Sequence, residues 1–336
     1  MIRRYRSIRL DRALALLLGL VVSAGCTVQA GNEPSVAFER FAERMAAEHG
    51  FTVEEVQSVL ADSRRQQDII DAMERPAEAL PWHRYRDIFL KEDRIAAGVE
   101  FWAENAALLD QASAAYGVPP EILVAIVGVE TRYGSYIGRH RVLDALRTLA
   151  FDYPPRSDFF RGELESYLLL TREEGFDPRE PEGSYAGAMG MPQFIPSSYR
   201  AYAVDFNDNG QRDLWQELPD VLGSVANYFA RHGWRSGGEV AVAAEVIGDD
   251  WQRFETNGMK PDTTVGELAA AGVQPVRALP SESAARLTVL EGENGDEYWV
   301  TLDNFYVITR YNHSPLYAMA VHQLADAIAT RREAGA

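Results

Sequence analysis

From Val36 onward, apolar residues recur at three- and four-residue spacing. Phe38, Phe41 and Met45 fall on one side of a 3.6-residue repeat and predict a helix. Thr52-Val53-Glu54-Glu55 predicts the start of a second helix, with Thr52 as the cap and Glu55 reaching back from three residues on. Pro76 and Pro81 mark a break. Helical periodicity resumes over Ile95–Tyr116 and stops at Gly117. Pro119 and Pro120 then open another helix, with Glu121 near its positive end. Val142–Ala150, Gly162–Glu174, Ser197–Val204 and Asp220–His232 continue the series, which Gly233 and Gly237-Gly238 close.

The period then changes. Glu239–Val246 and Arg286–Leu290 alternate in the strand manner, and Glu297–Leu302 is rich in aromatic and β-branched residues. Gly292–Gly295 lies between the last two as a hairpin turn. Residues 315–331 return to helix. The expected fold class is mainly α (α+β). It has an N-terminal helical domain over 35–80 and a helical core over 81–237 and 303–333, with a small α/β insertion over 238–302. No internal repeat is visible.

The first 25 residues belong to a different pattern. Arg3, Arg4, Arg6, Arg9 and Arg12 precede an apolar run from Ala13 to Val22, too short for the roughly 20 residues a bilayer requires. This is the form of an export signal, and it ends in Ser23-Ala24-Gly25. Cys26, the single cysteine, follows at once. One reading is a bacterial lipoprotein site in which acylated Cys26 anchors the chain. The other is ordinary cleavage that leaves a free thiol. Residues 26–34, polar with Gly and Pro, then form a tether. With one cysteine no disulfide is possible within the chain, so the fold rests on its core.

Composition narrows the classes. The hydrophobic fraction of 46% and the charged fraction of 25% are those of a globular protein. Thirty-three basic against 50 acidic residues give a net charge of −17, which excludes a nucleic-acid-binding footprint. Removing residues 1–25 takes away five Arg and one Asp and moves the charge to −21.

One segment carries candidate chemistry. Glu121–Tyr133 reads EILVAIVGVETRY, apolar almost all the way round until Glu130. Ile126 and Val127, four and three residues earlier, place the Glu130 carboxyl on a face shared with core residues. Desolvation there disfavours the ionised form, which suits a general acid. The alternative is a helix-end glutamate turned to solvent or paired with Arg132 or Arg139, and this segment alone does not choose between them.

Longer motifs do. Gly128-Val129-Glu130-Thr131-Arg132-Tyr133-Gly134, Gly183-Ser184-Tyr185-Ala186-Gly187-Ala188-Met189-Gly190 and Gln193-Phe194-Ile195-Pro196-Ser197-Ser198-Tyr199 closely resemble the membrane-bound lytic murein transglycosylase B family. Val225-Ala226-Asn227-Tyr228-Phe229 and Asn304–Asn312 extend the resemblance through nearly the whole mature chain. It implies a lysozyme-like helical core acting on peptidoglycan. Cleavage of the β-1,4 bond between N-acetylmuramic acid and N-acetylglucosamine would be non-hydrolytic, leaving 1,6-anhydromuramoyl ends. Glu130 falls on the family's catalytic acid/base. Ser184, Gln193, Tyr85, Tyr228, Tyr311, Asn312 and Tyr317 fall on groove positions. The implied location is the periplasm, lipid-anchored to the outer membrane, with peptidoglycan glycan strands as partner.

Each of these positions has a plainer use. Gly183, Gly187 and Gly190 let backbone approach a ligand, or simply make turns. A tyrosine ring covers an apolar sugar face, or fills a core. Asn312 contacts substrate, or caps the final helix. A second carboxylate, as paired-acid glycosidases require, has Asp144, Asp152 and Asp158 as candidates, though no motif assigns them that role.

Asp205, Asn207 and Asn209 occupy positions 1, 3 and 5 of an EF-hand-like loop over 205–220. Gly210 sits at its sharp turn, and Gln211 offers a carbonyl. Position 12 is Gln216 instead of a bidentate Glu. Relatives of the family close this loop with a later acidic residue, for which Asp220 is nearest. The expectation is a structural calcium of weak affinity, against a metal-free Asx-rich turn. No cofactor is expected for catalysis. The other functional readings are a muramidase-type hydrolase and a non-catalytic peptidoglycan-binding lipoprotein. Retention of Glu130 within its full motif argues against the last.

Overall fold

The fold is organised around α7 (Pro120–Thr131), a helix buried on every side. Ile122 through Val129 are all buried, and most are wholly inaccessible. A helix apolar all round has no solvent face, so it must be covered on each side. Each Val, Leu or Ile it encloses contributes about 1.5–3 kcal/mol. In this computed structural model, which describes residues 33–75 and 79–335, the cover comes from α5 (Glu92–Glu104), α6 (Ala106–Tyr116), α11 (Leu218–Arg231) and α14 (Pro315–Gly335). Pro120 at the first position begins the helix where a missing N–H costs nothing.

The N-terminal region consists of α1 (Glu33–His49), α2 (Val53–Asp62) and α3 (Gln67–Met73). The Thr52–Glu55 capping box opens α2 as expected. These helices do not form a core of their own. Phe38 and Phe41 meet Phe151 of α8 (Val142–Asp152) edge-on at 4.7 and 5.9 Å, and their apolar face is continuous with the main core. Among the expected boundaries, 35–80 is therefore a region of the core and not a separate domain. The export signal, Cys26, most of the tether and Pro76 lie outside the described residues.

The long helix expected over Ile95–Tyr116 is two. Asn105 separates α5 from α6 with φ −117° and ψ 18°, and its side-chain amide donates to the Phe101 carbonyl at 2.8 Å. Short polar side chains compete for backbone partners in this way, and periodicity alone does not reveal it. The helices α9 (Ser157–Glu174) and α10 (Pro196–Tyr202) occur where expected. Helix α4 (Trp82–Phe89) and α13 (Asp303–Tyr311) were not marked by their period, being eight and nine residues long.

The insertion is a five-stranded antiparallel sheet in the order β4-β6-β7-β3-β5. Its strands are β3 (Ala241–Val246), β4 (Thr263–Thr264), β5 (Val273–Pro275), β6 (Ala284–Gly292) and β7 (Gly295–Thr301), with the short helix α12 (Val265–Ala270). Gly292 pairs with Gly295, so the hairpin turn is the two residues between them. The small pair β1 (His140–Arg141) and β2 (Glu182–Gly183) lies outside this sheet. A second hydrophobic core of Val265, Leu268, Val273, Ala285, Leu287 and Val300 fills the insertion. Buried Asn304 pins the place where the chain enters it. Its side chain accepts from Arg235 N at 2.8 Å and donates to the Arg235 and Gly238 carbonyls.

Candidate active site

Helix α7 ends at the residue whose side chain matters most. Glu130 is its penultimate residue and lies half-buried at the margin of the core. Below it, Arg132 and Tyr133 both adopt left-handed backbone, φ 50° and 59°, at a cost of about 1–2 kcal/mol each. Their amides close the helix by bonding Gly128 and Val127 carbonyls. The Tyr133 phenol holds this turn. It donates to the Arg94 carbonyl at 2.9 Å and is wedged where a Cβ on either Gly98 or Gly128 would stand 2.6 Å from its oxygen.

Thr131 fastens the helix end to the opposite wall. Its buried hydroxyl donates to the Met191 carbonyl at 3.0 Å and accepts from Gly134 N at 3.1 Å. That wall is the loop from Gly183 to Phe194, folded on itself through pairings of Met189 with Gly183 and with Phe194. Its glycines serve the loop and not a ligand's approach. A Cβ would meet the Ala188 carbonyl at 2.2 Å from Gly183, Leu146 at 2.5 Å from Gly187 and the Leu214 carbonyl at 2.4 Å from Gly190. Of the two uses weighed for them, turn and packing is the one observed.

The third side comes from α13 and α14. Ser314 caps α14 through a bond from Tyr317 N to its hydroxyl at 3.3 Å, and Asn312 follows α13 in extended backbone. The cap sets Tyr317 in the first turn of α14. From there its phenol donates a short hydrogen bond to Glu130 Oε1. Tyr311 stacks parallel to Tyr317 at 6.4 Å and donates to the Pro192 carbonyl at 2.7 Å. Burial, and after it the neighbouring Glu130, hold both phenols well above their ordinary pKa. They remain proton donors throughout the pH range of a folded protein.

The other expected groove residues divide. Tyr228 bonds the Arg310 carbonyl and meets Tyr311 edge-on at 4.9 Å, and Tyr85 packs on Phe89 at 5.2 Å. Tyr85, Tyr228 and Tyr317 are 1%, 6% and 2% exposed. Their rings are interior, so the expected stacking of these rings on a sugar face is not what they do. The hydroxyls of Tyr228 and Tyr317 bond the Arg310 carbonyl and Glu130. Gln193 is left-handed at φ 51° and held by its own amide nitrogen, which donates to the Ile137 and Gly190 carbonyls at 2.9 Å each. Its amide oxygen keeps acceptor capacity. The Ser184 oxygen accepts from Ala186 N and Ala188 N, leaving the hydroxyl hydrogen to donate elsewhere.

The three candidate second carboxylates are engaged away from this frame. Asp144 accepts from Arg64 N at 2.8 Å and pairs with Arg141. Asp152 pairs with Arg147 and Arg65, and exposed Asp158 pairs with Arg161. Sequence reasoning missed Thr131 and Tyr133 as parts of the frame. Both lie in the Glu130 motif, but nothing in their spacing indicates a partner such as Met191 or Arg94.

Residues 205–213 are a loop folded by its own acidic and amide oxygens. Asp205 accepts from Asn209 N and Gly210 N at 3.0 and 2.7 Å, Asn207 from Asn209 N, and Asn209 from Gln211 N. Fully buried Asp220 on α11 closes it, accepting from Phe206 N at 2.8 Å and Asp213 N at 2.9 Å. Desolvation, and then the nearby Asp205 and Asp213 charges, raise the Asp220 pKa against those two bonds.

A buried helix thus ends in a carboxyl that a tyrosine donor meets, beside a self-pinned loop. A family model described as transglycosylase SLT domain matches residues 35–326. The chain belongs to this lytic transglycosylase family. Such enzymes cleave peptidoglycan without water. Among its relatives is the membrane-bound lytic murein transglycosylase B of Escherichia coli (strain K12), 44% identical over 311 residues, covering 90% of this chain and 84% of the relative. The soluble lytic transglycosylase SltB1 of Pseudomonas aeruginosa superposes with a TM-score of 0.83 at 48% identity, covering 88% and 99% of the two chains. The E. coli lytic transglycosylase Slt35 in complex with calcium gives 0.81 at 44% identity, covering 90% and 95%. The family membership makes this chain an enzyme, and it agrees with the mainly helical architecture.

Proposed function

We propose that this transglycosylase cleaves the β-1,4 bond from N-acetylmuramic acid to N-acetylglucosamine in peptidoglycan, with Glu130 as its single acid/base. The hydrogen bond from Tyr317 to Glu130 Oε1 carries the reading. This donor holds the carboxyl in place while it hands its proton to the glycosidic oxygen. The C1–O bond to the leaving glucosamine breaks as that proton arrives. Glu130, now ionised, takes the proton of the muramoyl C6 hydroxyl while that oxygen bonds to C1. Proton and charge return to their starting places, so neither water nor a second carboxylate is consumed. The ion-paired state of Asp144, Asp152 and Asp158 supports this over the paired-acid scheme. In the groove, the Gln193 amide oxygen accepts from a sugar N–H or O–H and the Ser184 hydroxyl donates to a sugar oxygen. Tyr311, Tyr228, Tyr85 and Asn312 keep the wall in register.

Product analysis tests this reading. Purified enzyme on intact peptidoglycan is expected to release muropeptides one water lighter than their reducing counterparts in the mass spectrum. Reducing ends as the main product would identify a muramidase-type hydrolase instead. Cys26 following its export signal supports a periplasmic enzyme anchored by lipid in the outer membrane, in keeping with the membrane-bound relative.

The loop over 205–220 suits a calcium ion. Asp205, Asn207, Asn209, the Gln211 carbonyl and Asp220 are all hard oxygen donors. The mutual repulsion of Asp205, Asp213 and Asp220 is what a cation would relieve. Phe206 docks the loop against Gly223 of α11 and Tyr116 of α6, so the role is structural. Two amides in place of carboxylates set the affinity near the weak end, about 10⁻⁴–10⁻³ M. Calcium at about ten times its Kd is then expected to add about 1.4 kcal/mol of stability. A thermal unfolding midpoint that rises in calcium, falls back in chelator and stops responding in Asp220→Asn would bear this out. Identical midpoints with and without calcium would remove the ion from the account.

A further inference from the structure

We infer that Glu297, on strand β7 of the insertion, is a positioning residue for the active site: it holds α4 against α14, the helix whose first turn sets Tyr317 on Glu130. The inference rests on Glu130 being the acid. Its physical basis is a two-handed carboxylate. Glu297 Oε2 accepts from the Trp82 indole N–H at 3.0 Å, and Oε1 accepts from Arg86 Nη1 at 2.8 Å. Trp82 and Arg86 are four residues apart and share one face of α4. Tyr85 lies between them in sequence, one helical turn on from Trp82.

Helix α4 has little else to fix it. It is eight residues long, starts after Pro81 without a side-chain cap, and is far below the length at which a helix is stable alone. Its position is therefore set by what it packs on, namely α14 and β6. Trp82 is 1% exposed, so its indole N–H has no access to water and depends on Glu297. A further polar link to the sheet is made by His83, whose Nδ1 lies 3.3 Å from the Glu291 carbonyl at an exposed position. Tyr85 itself is 1% exposed, buried where α4 packs against α14, the helix whose first turn carries Tyr317. The path thus runs from the sheet through Glu297 to α4, from α4 to α14 on which it packs, and ends through Tyr317 on Glu130 Oε1. The insertion has its own core, yet through Glu297 it is tied to a helix that packs on the one carrying Tyr317.

A coupling experiment on the full chain separates this from general destabilisation. Glu297→Ala is expected to lower kcat on peptidoglycan about tenfold while KM stays within about twofold. Glu297→Gln keeps one acceptor oxygen and should recover part of the loss. In a Tyr317→Phe background, which already lacks the donor to Glu130, Glu297→Ala should cause no further loss. An equal fold-loss in both backgrounds, a loss residing in KM, or an undiminished kcat would each overturn the assignment. Should Glu297→Ala fail to fold, the same comparison with Glu297→Gln decides it. Failure of the acid assignment shows itself separately, as activity retained in Glu130→Gln.

Discussion

Glu130→Gln is expected to lower kcat on peptidoglycan by about 10²–10⁴-fold, the range a positioned general acid contributes. The upper end is anticipated, because one group serves as acid and then as base. The substitution is nearly isosteric, and the amide oxygen still accepts from Tyr317, so the frame around it has no reason to change. KM and the thermal unfolding midpoint should therefore stay close to those of the parent protein. Rates from purified protein on sacculi, with the midpoint measured alongside, check both halves. Retention of a tenth of the activity would mean that another group supplies the proton.

The second large effect concerns the loop and not the acid. Gly190→Ala is expected to destabilise the protein by about 2–5 kcal/mol, from two additive sources. A left-handed alanine costs about 1–2 kcal/mol at φ 68°, and an inserted methyl in a packed place costs about 1–3 kcal/mol. The methyl would stand 2.4 Å from the Leu214 carbonyl, the same oxygen that accepts from Met191 N at 2.8 Å. Relief of the clash must move Met191 and Pro192. They hold Thr131 and Tyr311 through their carbonyls, so the damage reaches both neighbours of Glu130. Gly233→Ala supplies the control: it is also left-handed, φ 91°, but has no atom within 4 Å of the added carbon. Denaturant midpoints for the two variants measure the difference. Equal losses would show that backbone strain alone operates and that the Leu214 contact is easily relieved.

Both predictions depend on a frame in which rigid parts surround one reactive group. Buried tyrosines do much of this. They combine a large apolar ring, which the core accepts, with a hydroxyl that must find a partner. Tyr133, Tyr228, Tyr311 and Tyr317 each bond a backbone carbonyl or carboxylate, and each ties together segments distant in sequence. Their role is to prevent motion of the surfaces the substrate meets.

How far the chain alone reveals this differs by element. The helices with a clear 3.6-residue period, the Thr52–Glu55 cap and the Gly292–Gly295 hairpin are written in local order, because a period or a turn depends only on near neighbours. The all-apolar stretch before Glu130 likewise marks a buried helix, though it leaves open whether the carboxyl at its end faces the core margin or solvent. The short helices α4 and α13 were not legible, since eight or nine residues hold too few repeats to register a period. The break at Asn105 escaped for another reason: its side-chain bond to Phe101 competes with a helix that the pattern otherwise favours.

Sequence by itself singled out the candidate residues: Glu130, the glycine-rich loop, the tyrosines and the oxygen-rich turn. Only the tertiary structure decided what each does for the others. Tyr317 stands 187 residues from Glu130 in sequence, and Glu297 stands 215 from Trp82 and 211 from Arg86. No local pattern encodes a bond across such a span. It is created when the apolar faces of α7, α14 and the sheet are buried together, which brings polar groups at their margins within reach of one another.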